Sequence, residues 1–248
     1  MNTANTQASA SATDSDGTFS TELIDGKEPI AVVYWVGDPT AKDSALLAEH
    51  PECTHGLAVT LTDAANGENM MWQPEFTAFR QTVTEYSGIV GRWVKDNTTY
   101  KSSVTQNNTE SLMRAIGYNY TKGFEAFNEA MPDYIIQAVA EVTAYEEQVA
   151  APEKSSGWYL PSIIELRDLL CTESDEIREN GMYGMNNTNT INAVLEKIES
   201  AELIDGNYWS SSEHNQYTKA WSVSLTLQGR VWSQNKNYAL KVRPIIAF

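Results

Sequence analysis

The chain has 248 residues, with 33 Asp and Glu against 17 Lys and Arg, which gives a formal net charge of −16. Because such an acidic protein repels phosphate groups and anionic lipids, neither nucleic acid nor a membrane surface is an expected partner. The share of hydrophobic residues, 42%, is typical of a globular chain, and no apolar run approaches the ~20 residues that span a bilayer.

Residues 1–27 are rich in Ser, Thr, Ala, Asn and Asp, so they bury too little apolar surface to offset the entropy of ordering. We therefore predict a flexible N-terminal tail followed by one domain over 28–248. The tail has neither the basic nor the apolar part of a signal peptide, but it suits a spacer behind a lipid-anchored terminus. The expected location is extracellular or at the cell surface, with the signal absent or removed, or display on a virion.

The predicted elements change character along the chain. Residues 30–36 and 57–61 are apolar and rich in β-branched side chains, which predicts two buried strands. Helical spacing then predicts a series of helices, beginning near Thr109, Thr121 and Pro132, beginning again at Pro161, and covering residues 191–198. From Asn207 onward apolar and polar residues alternate, which predicts an antiparallel hairpin and a last strand. The fold class is therefore α+β, with several packed helices.

The sequence contains no convincing catalytic or metal-binding motif. Cys53 and Cys171 are the only cysteines, and they form either a disulfide or two buried thiols. With three histidines and no CxxC pair, a zinc site is not expected, and no other metal or cofactor is predicted. Ser212, Glu213 and His214 are adjacent in sequence, but neighbours on a strand point to different faces, so a catalytic triad is not expected either.

Three motifs occur in a fixed order: GWYLPSIIEL over 157–166, YWSSSE over 208–213 and VRPIIAF over 242–248. Together they resemble a family of bacterial surface domains, and in particular the variable proteins of diversity-generating retroelements. The resemblance is strongest over 150–248. It implies a C-type lectin-like fold, often calcium-independent, whose C-terminal β segment over 208–248 is a variable ligand-binding region.

Within that region the apolar residues in phase with the strands are expected to form the scaffold, with Arg243 buried beside Glu213. The interleaved residues are chemically mixed and are predicted to face a ligand. They are His214, Gln216, Tyr217, Lys219, Ser222, Ser224, Gln228, Arg230, Trp232, Gln234, Asn235, Asn237, Tyr238 and Leu240. Trp232 is the sharpest case, since alternation places its indole outward. The alternative is that Trp232 packs on an N-terminal helix or on an oligomer partner.

The predicted function is that of a receptor or adhesin without enzymatic activity. Its ligand would be a protein or glycan on another cell or virion, and the oligomeric state stays open. One alternative is an enzyme of the formylglycine-generating group, which shares the lectin-like architecture but uses closely placed cysteines that Cys171 does not provide. A second alternative is a structural subunit of a surface fibre or pilus.

Overall fold

The computed structural model of the protein describes residues 11–14, 19–20, 26–83, 89–104, 108–170 and 179–248. The α-helices of this part of the chain are α1 (Ser44–Glu49), α2 (Phe76–Gln81), α3 (Ile89–Asn97), α4 (Asn108–Leu112), α5 (Gly117–Ala130), α6 (Gln137–Gln148), α7 (Ile163–Leu170) and α8 (Asn186–Leu195). The strands are β1 (Ser11–Asp14), β2 (Phe19–Ser20), β3 (Pro29–Val36), β4 (Gly56–Thr60), β5 (Met70–Met71), β6 (Asn207–Glu213), β7 (Lys219–Ser224), β8 (Arg230–Asn235), β9 (Ala239–Leu240) and β10 (Ile245–Ala247). The α+β class is confirmed.

The largest sheet is antiparallel and has the strand order β10-β4-β3-β1-β2. Its centre joins the two predicted N-terminal strands to the last strand of the chain, with Val32 opposite Val59 and Ala58 opposite Ile246. The C-terminal strand therefore lies beside β4, although most of the chain separates the two strands in sequence. This pairing fixes the C-terminal segment on the N-terminal half of the protein.

The expected flexible tail is wrong for two short pieces of residues 1–27. Ser11–Asp14 pairs with β3, where Ala12 lies opposite Val32, and Phe19–Ser20 pairs in turn with β1. Strand pairing satisfies backbone N–H and C=O groups whatever the side chains are, so a polar segment can extend a sheet at its edge. Amino-acid composition alone does not predict this strand pairing.

One predicted helix is split. Residues after Pro132 form a 3₁₀ turn, Pro132–Tyr134, and α6 begins only at Gln137. The Asn128 side chain accepts a hydrogen bond from the N–H of Ile136 at 2.6 Å and donates one to the Ile136 carbonyl at 3.1 Å. These bonds hold the backbone of Ile136 outside the helix.

The predicted C-terminal hairpin is β7 and β8, and β6 completes a three-stranded antiparallel sheet of order β6-β7-β8. The hairpin turn contains Gln228 and Gly229 with φ of 56° and 70°, a left-handed conformation that favours glycine. Strands β5 and β9 form a separate pair beside this sheet.

Two hydrophobic cores lie on opposite faces of the sheets. The first core takes Val32, Val59 and Ile245 from the large sheet together with Trp221 and Val223 from the C-terminal sheet. The second core takes the alternate positions. Its members include Ala31, Val33, Ala58, Ile246, Trp209 and Ala220, with Trp72, Phe124 and Val139 from outside the sheets. Both sheets are thus covered on both faces over much of their area. Among the described helices, none has the length and apolarity needed to cross a membrane.

Candidate ligand-binding surface

The half-exposed face of β8 carries an aromatic ring and a cation in contact. Arg230 and Trp232 are two residues apart, so their side chains leave the strand on the same face. The Arg230 guanidinium lies 5.2 Å from the centre of the Trp232 ring. It also donates to Asn180 Oδ1 at 2.8 Å. Gln234, on the same face, is likewise half-buried. We call these three residues the strand group.

Trp232 differs from every other tryptophan of the chain. The other six lie in or against the two cores: Trp35, Trp72, Trp93, Trp158, Trp209 and Trp221. Within the part of the chain that the structure describes, Trp232 belongs to neither core. The ring contact of Trp232 within the described residues is the Arg230 guanidinium, and packing on an N-terminal helix or on an oligomer partner stays an alternative.

Two turns at one end of the C-terminal sheet carry most of the other predicted residues. The N–H of Lys236 donates to the carbonyl of Thr218 at 2.8 Å, which joins the turn after β6 to the turn after β8. We call the predicted residues on these turns, or at the strand ends that border them, the turn group: Gln216, Tyr217, Lys219, Asn235, Asn237 and Tyr238. Among the aromatic residues whose side chains the structure describes, Tyr238 is the most exposed, with 52% of its surface open to solvent.

The Tyr217 side chain packs against α2. Its ring centre lies 6.4 Å from that of Phe76, and the Arg80 guanidinium lies 5.7 Å from it, so α2 supports the turn from below. Gln228 is exposed in the hairpin turn at the other end of β8. We refer to the strand group, the turn group and Gln228 together as the C-terminal surface.

Four predicted residues lie inside the protein and do not face solvent: His214, Ser222, Ser224 and Leu240. Ser222 donates to the Trp232 carbonyl at 3.2 Å, and Leu240 belongs to the second core. The expectation that they face a ligand is corrected. Alternation located the two faces of the sheet, but the second core covers much of the face that was expected to meet solvent.

His214 supports the turn group from within. Its ring lies 4.9 Å from that of Trp221, and its Nδ1 accepts a hydrogen bond from the N–H of Gln216 at 2.9 Å. Burial lowers the pKa of His214 from 6.5 to about 4, so the ring is neutral near pH 7. A neutral ring with a free lone pair is what the Gln216 N–H requires.

A buried ion pair holds the turn after β8. Lys236 Nζ lies 2.5 Å from Glu213 Oε1, and neither side chain is exposed. Lys236 also donates to Gln73 Oε1 at 3.2 Å and lies 4.7 Å from the centre of the Trp72 ring. Burial is the main influence on the pKa of Lys236 and lowers it, while Glu213 opposes that shift.

The same carboxylate reaches α3. Glu213 Oε2 accepts a hydrogen bond from the N–H of Gly91 at 2.8 Å. A Cβ at Gly91 would lie 2.8 Å from the hydroxyl oxygens of Ser102 and Ser103, so any larger residue would displace these side chains. The ion pair thereby ties β6, α3 and the turn after β8 into one rigid support.

Arg243 is buried as predicted, but its partner is Asp63 and not Glu213. Its Nη1 donates to Asp63 Oδ1 at 3.0 Å, and its remaining N–H groups donate to the carbonyls of Thr60, Leu61 and Glu202 at 2.8–3.1 Å. Lys241 Nζ lies 3.0 Å from the other Asp63 oxygen. This network anchors the last strand to the end of β4.

Sequence reasoning missed the segment that borders β8. The N–H of Asn180 donates to the Val231 carbonyl at 2.7 Å, and the N–H of Val231 donates to the Gly181 carbonyl at 3.0 Å. Glu179 Oε1 accepts a hydrogen bond from Ser233 Oγ at 3.0 Å. The segment has no alternating pattern, and it lies about fifty residues from its partners, so no local signal places it there. Cys171 precedes it and lies outside the described residues, whereas Cys53 is a buried free thiol.

Known proteins resemble this chain in fold and, more weakly, in sequence. The fold of this chain is similar to part of one solved structure. Its structure matches the crystal structure of a fimbrial protein from Bacteroides ovatus with a TM-score of 0.73 and 22% identity, over 96% of this chain and 48% of that one. It is also 25% identical over 203 residues to a putative fimbrium tip subunit, Fim1C, of Bacteroides ovatus, across 75% of this chain and 34% of the relative. No family model matches.

The chain thus spans between a third and a half of the length of these relatives. The relationship to variable proteins of diversity-generating retroelements is wrong, because the proteins that match are fimbrial. Motifs shared by a fold do not specify the function of the domain that carries them. The C-type lectin-like fold stays a prediction.

Proposed function

We propose that the chain is an adhesin-like part of a cell-surface fibre subunit, and that its C-terminal surface binds a protein or glycan ligand on another cell without covalent chemistry. The observation that carries the proposal is Trp232, the tryptophan that lies outside both cores and stays half-exposed beside Arg230. Tryptophan, tyrosine and arginine are the residues that most often dominate binding energy at protein surfaces.

The geometry suits such a role because the residues are held before a ligand arrives. Trp232 lies on a strand, and Arg230 is fixed between its ring and Asn180. The buried pair of Glu213 and Lys236 holds the turn that carries Tyr238. A surface that is already ordered loses less conformational entropy on binding.

The fibre part of the proposal draws on the relatives. Both are named as fimbrial, and one is named as a putative tip subunit, which favours the alternative of a surface-fibre subunit and a location at the cell surface. The same relatives give no support to display on a virion. Immunogold labelling of producing cells tests this part, and label confined to the cell interior would contradict it.

Binding is tested with the purified chain on beads against a panel of immobilised glycans and extracellular-matrix proteins. The wild type should retain at least one member of the panel, and Trp232→Ala with Tyr238→Ala should abolish that retention. Val36→Ala is the control, since Val36 is 69% exposed at the end of β3. Retention that survives the double substitution, or no retention of any member, would refute the proposed surface.

A further inference from the structure

The turn after α1 gathers three side chains that carry different donor atoms. His50 caps α1 through its N–H, which donates to the Leu46 carbonyl at 2.7 Å. The N–H of Cys53 then donates to the His50 carbonyl at 3.1 Å, which closes a tight turn. One ligand atom each from His50, Glu52 and Cys53 lies within 4.8 Å of the other two.

We propose that His50, Glu52 and Cys53 bind a zinc ion. An imidazole nitrogen, a carboxylate oxygen and a cysteine sulfur are the three donor types that zinc takes from proteins. Burial raises the pKa of the Cys53 thiol to about 12, so binding of the ion would release the thiol proton to solvent. Calcium and magnesium require oxygen donors throughout, so the sulfur and nitrogen here argue against both. The site lies apart from the C-terminal surface and goes beyond the proposed function.

The distances are close to those of a tetrahedral site. His50 Nδ1 and Glu52 Oε1 are 3.9 Å apart. Ordinary zinc bond lengths place donor atoms about 3.5 Å from one another. Since all three donor atoms lie within 4.8 Å of one another, closure around an ion requires each pair to approach by about 1.3 Å or less. Glu52 can supply most of that movement because its side chain is 48% exposed.

The fixed part of the site is the cysteine. Cys53 is fully buried in the first core, with its Sγ 3.9 Å from the Lys154 carbonyl oxygen. The His50 side chain is 28% exposed, so an ion between it and Glu52 would reach solvent. Three protein ligands and an open side leave the fourth position for water.

Neighbouring contacts orient the histidine. The His50 ring meets the Tyr118 ring edge-on at 5.5 Å. The Tyr118 hydroxyl donates to Glu49 Oε2 at 2.6 Å, which fixes the tyrosine against α1. The sequence has no CxxC pair, which predicts no zinc site, yet the ligands proposed here lie within four consecutive positions.

Cobalt(II) is the probe for this site, because it replaces zinc and absorbs when bound to thiolate. The full chain should bind one equivalent, with a sulfur-to-cobalt charge-transfer band that added zinc removes. Cys53→Ser should eliminate the band. His50→Ala and Glu52→Gln leave the buried thiol in place and should weaken cobalt binding at least about tenfold.

His55→Ala is the matched control, since His55 is exposed and lies close by in sequence. It should bind cobalt as the wild type does. Binding without a charge-transfer band, or binding that His50→Ala leaves unchanged, would overturn the assignment. So would equal loss in the His55→Ala control, which would indicate adventitious binding to surface histidines.

Discussion

Lys236 and Glu213 form an ion pair in which both side chains are completely buried, with Nζ 2.5 Å from Oε1. The pair lies directly beneath the turn that presents Asn237 and Tyr238. Removing two charges from water is costly, and the attraction between them offsets that cost only while both are present. The position of the turn group therefore depends on an ion pair that is buried and out of reach of a ligand.

Lys236→Met should destabilise the protein by about 3–5 kcal/mol, because it leaves the Glu213 carboxylate buried without its cation. Denaturant unfolding followed by tryptophan fluorescence measures the change. Lys197→Met is the control, as Lys197 is exposed on the surface.

Adding Glu213→Gln to Lys236→Met should recover part of the lost stability, since the uncompensated charge is then gone. If the two substitutions instead add their full separate costs, the pair does not act as a unit.

The sequence predicted where the strands and helices lie better than it predicted which of them pack against one another. Periodicity located β3, β4 and the β7–β8 hairpin, and it located α5 and α7 to within a few residues. The predicted starts of α6, at Pro132, and of α8, at Ile191, differ from the observed starts at Gln137 and Asn186. The buried character of Arg243 was also readable. Its pairing with Asp63 was not, because that contact depends on β10 lying beside β4, which no local pattern encodes.

The candidate surface shows the same division. Alternation separated Val231 from Trp232 correctly, yet it also placed Ser222 and Ser224 in solvent, where the structure has them buried. A period of two reports the two faces of a strand and not what covers each face. The bordering segment with Asn180, and the second core over Ser222, are long-range features.

Trp232→Ala should cost about 1 kcal/mol of stability or less, because the ring lies in neither core. Trp221→Ala, which removes a fully buried ring from the adjacent strand, should cost about 3–5 kcal/mol. Parallel urea titrations provide the comparison. Equal losses of stability would show that Trp232 supports the fold and is not available to bind a ligand.

Glu165 should make the protein less stable as the pH rises. Burial raises the pKa of its carboxyl from 4.5 to about 7, although Ser162 and Gly117 donate hydrogen bonds to it. The protonated form is therefore favoured by folding, so its stabilisation is complete below pH 4.5 and is lost as the pH rises to 7.

Glu165→Gln removes this titration. The free energy of unfolding of the variant minus that of the wild type should increase by roughly 3 kcal/mol between pH 4.5 and pH 8. Urea titrations at both pH values measure it, and comparing the two removes any constant cost of the amide. A difference that stays constant with pH would show that the carboxyl titrates normally.

His214 should act in the opposite direction. Because burial lowers its pKa to about 4, the neutral ring is favoured by folding, and its contribution is present above pH 6.5 and lost as the pH falls through 4. The stability of the wild type relative to His214→Gln should therefore fall between pH 7 and pH 4.

The central claim is that Trp232 anchors a ligand on an already ordered surface, and the dissociation constant of the Trp232→Ala variant tests it most directly. It should be measured for whichever panel member the wild type retains, at matched folded fractions. The affinity of Trp232→Ala should be at least about tenfold weaker than that of Val36→Ala or the wild type. Equal affinity of Trp232→Ala and the wild type would contradict it.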